Sequence, residues 1–212
     1  MSDDEDIVGV APVDFFFSKE IDCHQIIDQK QFLKKCLLPP LSEVFGQETF
    51  ARVFMGWKIE GLVFEIQVTQ RDALVVSYPD ISQGDSIELF IDTRAIASAK
   101  TTHRFCHHFY FLPEHFEGRQ CGECTRFRTE DAHPLCSEEL LECTILKNSK
   151  GYTAQIMIPK DALVGYDPQK GSKIGFTYRI NRSGAPSQHF AMSYEHARID
   201  TMPGLWAQMR LT

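Results

Sequence analysis

The chain has 212 residues, 43% of them hydrophobic, and 22 Lys and Arg stand against 29 Asp and Glu for a net charge of −7. That length fits one large domain or two small ones, with enough apolar material for a sizeable core. The acidic balance argues against a general nucleic-acid or anionic-membrane surface, and no apolar run approaches the roughly 20 residues a membrane span needs. Seven cysteines, an odd number, fit a reducing compartment better than a disulfide framework. The N-terminus lacks the basic start and apolar core of a signal peptide. A cytoplasmic location is therefore the expectation, with signal-independent secretion left open.

In chain order, residues 1–11 carry Asp3, Asp4, Glu5 and Asp6 and read as a solvated, disordered acidic tail. Residues 12–212 read as one domain. Residues 12–17 suggest an opening strand. Residues 24–37 place Ile26, Ile27, Phe32, Leu33, Cys36 and Leu37 at near-helical spacing before Pro39 and Pro40 stop the run. This helix is expected to cap a sheet, with docking to a partner as the alternative. From Phe50 the period changes to two. Residues 50–57 and 61–69 predict a hairpin, followed by strands over 86–93, 103–112, 151–158, 173–181 and 205–211. Residues 113–143 read as a cysteine-rich loop insertion, and Pro159 opens a short helical turn. Many strands and few helices predict an all-β, antiparallel, jelly-roll-like β-sandwich with a short N-terminal helix.

The most informative stretch runs from Gly84 to Arg94. Alternation on a strand puts Ile87, Leu89 and Ile91 on one face and Ser86, Glu88, Phe90 and Asp92 on the other. Two carboxylates on one face are costly to bury, so that face is expected to be wet or to line a ligand groove. The candidate ligand-binding residues are Glu88, Asp92, Arg94, His107, Tyr178, Arg179 and Asn181. Guanidinium donors, carboxylate acceptors and an amide that does both suit vicinal hydroxyls, and Phe90 or Tyr178 could supply a ring for a sugar. A solvated sheet face with weak cross-strand ion pairs is the plain alternative.

Two further clusters carry metal-ligating residue types. In His103-Arg104-Phe105-Cys106-His107-His108, Cys106 and His108 share a strand face, whereas His103 and His107 lie about 13 Å apart by strand rise. Cys121, Cys124, His133 and Cys136 have the spacing C-x2-C-x8-H-x2-C, which could close a structural zinc site. Free thiols are the alternative. No catalytic motif is present. Glu88 and Asp92 stand about 13 Å apart at Cα, wider than the carboxyl pairs of glycoside hydrolysis, so no enzyme activity is expected.

The order of motifs resembles the carbohydrate-binding module family nine domains and the wider DOMON-like superfamily. It comprises the Trp57 hairpin, Gly84 to Asp92, Gly151 to Pro159, Gly171 to Phe176, and the closing Leu205-Trp206-Ala207. Pro12 to Phe16, Asp92-Thr93-Arg94 and His103 to Phe109 are similar to stand-alone bacterial proteins of this type. The resemblance implies a jelly-roll-like sandwich that binds a sugar or, in some branches, haem or another small ligand. Neither Trp57 nor Trp206 maps onto the pair of exposed rings that clamps a saccharide in sugar-binding members, and Gln155 stands where many relatives have glutamate. The expectation is a non-catalytic binding module for a small ligand, a saccharide first. The alternatives are a protein–protein interaction domain and a zinc-stabilised structural protein.

Overall fold

A computed structural model describes residues 20–41, 43, 46–70, 72–190 and 199–212. The acidic tail and the opening strand expected over 12–17 lie outside the described residues. Among the described residues, eleven strands are β1 (Ile21–Gln25), β2 (Ala51–Lys58), β3 (Gly61–Thr69), β4 (Ser86–Asp92), β5 (Cys106–Phe116), β6 (Arg119–Glu123), β7 (Glu142–Asn148), β8 (Gly151–Pro159), β9 (Lys173–Arg182), β10 (Ala185–His189) and β11 (Ala207–Leu211).

The strands form one path, β6-β5-β4-β9-β11-β1-β2-β3-β8-β7, with β10 added beside β9. The path is folded over on itself. A first layer holds β6, β5, β4, β9 and β11, a second holds β2, β3, β8 and β7, and β1 joins them. Pairings between strands are antiparallel except the two made by β1, which runs parallel to both β11 and β2. The sandwich expected from the sequence is thus present, and its one seam is parallel.

The period-two pattern explains the core directly. Leu62, Phe64, Ile66 and Val68 of β3 and Tyr152, Ala154, Ile156 and Ile158 of β8 face Ile87, Leu89 and Ile91 of β4 and Ile174, Phe176 and Ile180 of β9. Phe64 and Phe176 stack across the layers with centroids 5.6 Å apart. The β7–β8 turn ends at Gly151, whose φ of +144° and approach to the Val68 carbonyl leave no room for a Cβ.

Four strands were not legible in the pattern. β1 occupies the start of the expected helix 24–37, which shortens to α1 (Gln29–Lys35), capped by Asp28 accepting from the Gln31 amide at 2.9 Å. Phe32 of α1 and nearby Cys36 pack on Phe54 over the outer face of β2. The stretch expected as a loop over 113–143 contains all of β6 and the start of β7. No strand was expected over β10 either.

The two layers are also tied by a polar bridge. Gln188 of β10 is buried, and its Oε1 accepts from the Phe50 and Ala51 amides at 2.8 Å each. Its Nε2 donates to the Ala51 carbonyl at 2.9 Å and the Tyr178 hydroxyl at 3.1 Å. Every polar atom of this amide is matched, so truncation leaves two buried N–H groups without an acceptor. Gln188→Ala is expected to lower unfolding stability by about 2–4 kcal/mol in urea denaturation, with an unchanged slope.

Candidate functional site

Ile87, Leu89 and Ile91 of β4 enter the core, and Ser86, Glu88, Phe90 and Asp92 face outward, as alternation predicts. The wet acidic face expected there is not found: Glu88 is 0% exposed and Asp92 1%. Two loop segments account for this. Phe90 packs with Ile199, Trp206 and Cys106, while Val76, Tyr78 and Ile81 pack on Tyr110 and Leu112 of β5. Gly84 lets the backbone at 75–77 press against the turn into β4, closer than any Cβ allows. Asp85 fastens that contact, accepting from the Val75 amide at 2.6 Å and the Ser183 amide at 3.1 Å.

Between the two covers lies a polar cluster. Antiparallel pairing sets Glu88 opposite Arg179 and Ser86 opposite Asn181. Glu88 Oε1 accepts from Arg179 Nε and Asn181 Nδ2, and Oε2 accepts from Arg179 Nη2, all at 2.7 Å. His108 Nε2 lies 2.8 Å from the same Oε2, and its ring stacks on Phe90 with centroids 4.2 Å apart. Asn181 Nδ2 also donates to Ser86 Oγ, and Ser187 Oγ donates to Asn181 Oδ1. Burial pushes the Glu88 carboxyl up. The hydrogen bonds from His108 and Arg179 outweigh it and hold the group well below the usual carboxylate range.

Of the seven residues expected on this face, Glu88, Arg179 and Asn181 are brought together. Asp92 is spent on the following turn, accepting from the Arg94 amide at 2.9 Å and the Ile96 amide at 2.8 Å. Arg94 is exposed and lies over the Phe105 ring instead. His107 pairs with Ile91 and Tyr178 with Leu89, so strand register turns both inward, and each is buried. His108, Ser86 and Ser187 were missed as site members. Alternation within β4 puts Ser86 on this face, but His108 is placed only by the pairing of β5 with β4 and Ser187 only by that of β10 with β9, which no local motif marks.

The expected zinc ligands are separated by the same register. Cys121 faces the core opposite Phe111, and Cys124 packs on the outer face with Tyr110 and Leu112. Among the described residues, no three of Cys121, Cys124, His133 and Cys136 bring donor atoms within 4.8 Å of one another. Burial pushes the thiols of Cys124 and Cys136 up to about 12, with Glu123 adding to the effect at Cys136. His133 turns instead to Glu123 at the end of β6, where His107 also converges.

Comparison with solved structures places the fold. No family model matches the sequence, and no curated protein matches it. The chain is similar to a carbohydrate-binding module of family nine from Caldicellulosiruptor kristjanssonii in two complexes. With cellotriose the TM-score is 0.65 at 15% identity, covering 92% of this chain and 94% of that one. With glucose it is 0.66 at 16%, covering 92% and 96%. A Bacteroides uniformis protein whose description proposes carbohydrate binding aligns with a TM-score of 0.57 at 9% identity, covering 92% and 98%. The chain therefore has a carbohydrate-binding-module-like fold.

The cluster predicts acid sensitivity with a definite sign. Burial and the neighbouring Arg179 lower the His189 pKa to about 4, so the unfolded chain binds that proton first, and stability falls as pH drops from about 6.5 to 4. The depressed Glu88 carboxyl contributes fully above its unfolded value of about 4.3, and that contribution is lost below it. Thermal melts across this range are expected to show both limbs. Glu88→Gln is expected to flatten the lower one and to cost about 3–5 kcal/mol at pH 7, because it leaves the partly buried Arg179 without its counter-charge.

Proposed function

We propose that the protein is a non-catalytic saccharide-binding module whose ligand meets the Arg179 side of the polar cluster. The observation that carries the reading is the alignment of 92% of the chain with family-nine modules solved with cellotriose and glucose. The site chemistry is compatible with it. Glu88 engages the Nε and Nη2 edge of the guanidinium, so the planar fork is held rigid with Nη1 turned away from the carboxylate. A fork fixed in this way loses little rotamer freedom on meeting a pair of hydroxyls.

The same hydrogen bonds argue for binding without turnover. Glu88 accepts from a guanidinium and an amide and faces a histidine, and Asp92 is occupied by two backbone amides. Neither carboxyl is poised as a general acid or base over an open cleft. The two tryptophans, neither of which was expected to clamp a saccharide, are both engaged within the chain. Trp206 is buried with its Nε1 donating to the Ile199 carbonyl at 2.6 Å, and Trp57 is half-buried with its Nε1 donating to the Thr212 carbonyl. Recognition therefore leans on hydrogen bonding more than on ring stacking.

Calorimetry with glucose and short β-linked gluco-oligosaccharides, backed by a glycan array, tests the reading. The expected outcome is saturable binding without hydrolysis, weakened about 10–100-fold by Arg179→Lys in a variant that keeps its near-UV spectrum. A folded wild-type protein that binds no glycan on the array would refute it.

A further inference from the structure

The most densely coordinated group outside the polar cluster sits on the opposite face of the first layer. His107 of β5, Glu123 of β6 and His133 of the following loop place one donor atom each within 4.8 Å of one another. His107 Nδ1 and His133 Nε2 both stand 2.9 Å from Glu123 Oε1. The Thr125 hydroxyl donates to the same oxygen at 2.7 Å, and the Cys136 amide donates to Oε2 at 2.8 Å. The side chains of His107 and Glu123 are fully buried, and that of His133 is 5% exposed.

The far nitrogens of the two rings make the arrangement unusual. His133 Nδ1 lies 2.8 Å from the Arg104 carbonyl, so both its nitrogens face oxygen acceptors. His107 Nε2 lies toward the Val164 carbonyl, outside hydrogen-bond geometry, and that carbonyl already takes the Thr93 hydroxyl at 2.6 Å. A neutral imidazole has one N–H and cannot serve acceptors on both sides. If His133 keeps its proton on the side of the Arg104 carbonyl, its Nε2 lone pair faces the Glu123 oxygen, which is repulsive without a proton or a cation between them. A backbone carbonyl holding the outer N–H while the inner nitrogen points at a shared centre is how metal-bound histidines are oriented.

We propose that His107 Nδ1, His133 Nε2 and Glu123 Oε1 form a buried site for a divalent transition-metal ion of the zinc class. Two imidazoles and a carboxylate are the donor set such ions favour. Metal–ligand bonds of roughly 2.0–2.2 Å at tetrahedral angles put donor atoms about 3.4 Å apart, so the 2.9 Å spacings need to open only slightly. Cys136, whose thiol lies beside the same carboxylate, is the nearest candidate for a fourth ligand. The ion has a structural role. Residues 124–141 cross from β6 at one edge of the first layer to β7 at an edge of the second, with only one short helical turn near the end. A connection that long needs a tether. His133, near its middle, supplies one, aided by the Arg104–Asp131 ion pair and the Phe127 ring on His133.

The test uses the full chain. Elemental analysis of freshly purified protein is expected to find about one equivalent of zinc-class metal. Stripping with a chelator should lower the melting temperature by roughly 5–10 °C, restored by Zn²⁺ alone. His133→Ala and Glu123→Gln should abolish the equivalent, whereas Cys124→Ser should keep it. X-ray absorption on the wild-type zinc form makes the result independent of variant folding. A first shell of nitrogen and oxygen with at most one sulfur supports the site, and a shell dominated by sulfur overturns it. Stripped protein whose melt Zn²⁺ does not change, or metal that survives His133→Ala, also overturns it. Retained glycan binding in metal-free protein leaves the proposed function standing, so the two readings fail separately.

Discussion

A carboxylate removed from water must be answered by donors, and Glu88 imposes that demand at the centre of the first layer. It sits on β4, flanked by β5 and β9, so each neighbour has to present a donor at the matching register. Arg179 arrives from β9 directly opposite, Asn181 two residues away, and His108 from β5. Shifting either pairing by one residue would turn these donors to the other face and set apolar side chains against the charge. The ion cluster therefore contributes less as net stability than as a lock on register, since an ion pair in a desolvated place gains little over a well-packed apolar one.

The outer face of β4 is a second, smaller interior. The main core is apolar and symmetric between layers, with Phe64 and Phe176 in ring contact across it. The outer interior mixes charges with rings, in that Phe90 lies beneath His108 and within reach of the Arg179 guanidinium. Asp85 and Gly84 make its cover possible by letting one loop press onto the sheet. Such a pre-set layer holds its donors rigid, so they lose little freedom when they meet a partner.

The long crossing from β6 to β7 raises a different problem. A sandwich with a parallel seam at β1 leaves β6 and β7 at the ends of the strand path, and the chain joins them directly. The linking segment gains no ladder of its own over 124–141 and is held by side chains. Glu123, His107 and His133 provide the densest of these contacts, and burial makes them sensitive to whatever neutralises the carboxylate: burial raises its pKa, while the two histidines pull it well below the usual range.

Much of the scaffold was determined by the sequence alone. β3, β8 and the inward face of β4 follow from period-two alternation, because a strand buried against one core writes that period into its residues. The face on which Glu88 lies was equally legible. Its exposure was not, because alternation assigns a side and says nothing about which distant loops cover it. His107 and Tyr178 were placed on the wrong face because their parity depends on pairing with Ile91 and Leu89, a long-range register. The spacing of Cys121, Cys124, His133 and Cys136 suggested one centre. Tertiary structure instead turned Cys121 inward and Cys124 outward and delivered His133 to Glu123. β1, with only Cys23 fully buried, carries no strand signal of its own and exists because β11 and β2 offer their edges to it. Local pattern determines what one chain segment prefers, and only the closing of the sheet decides which segments meet.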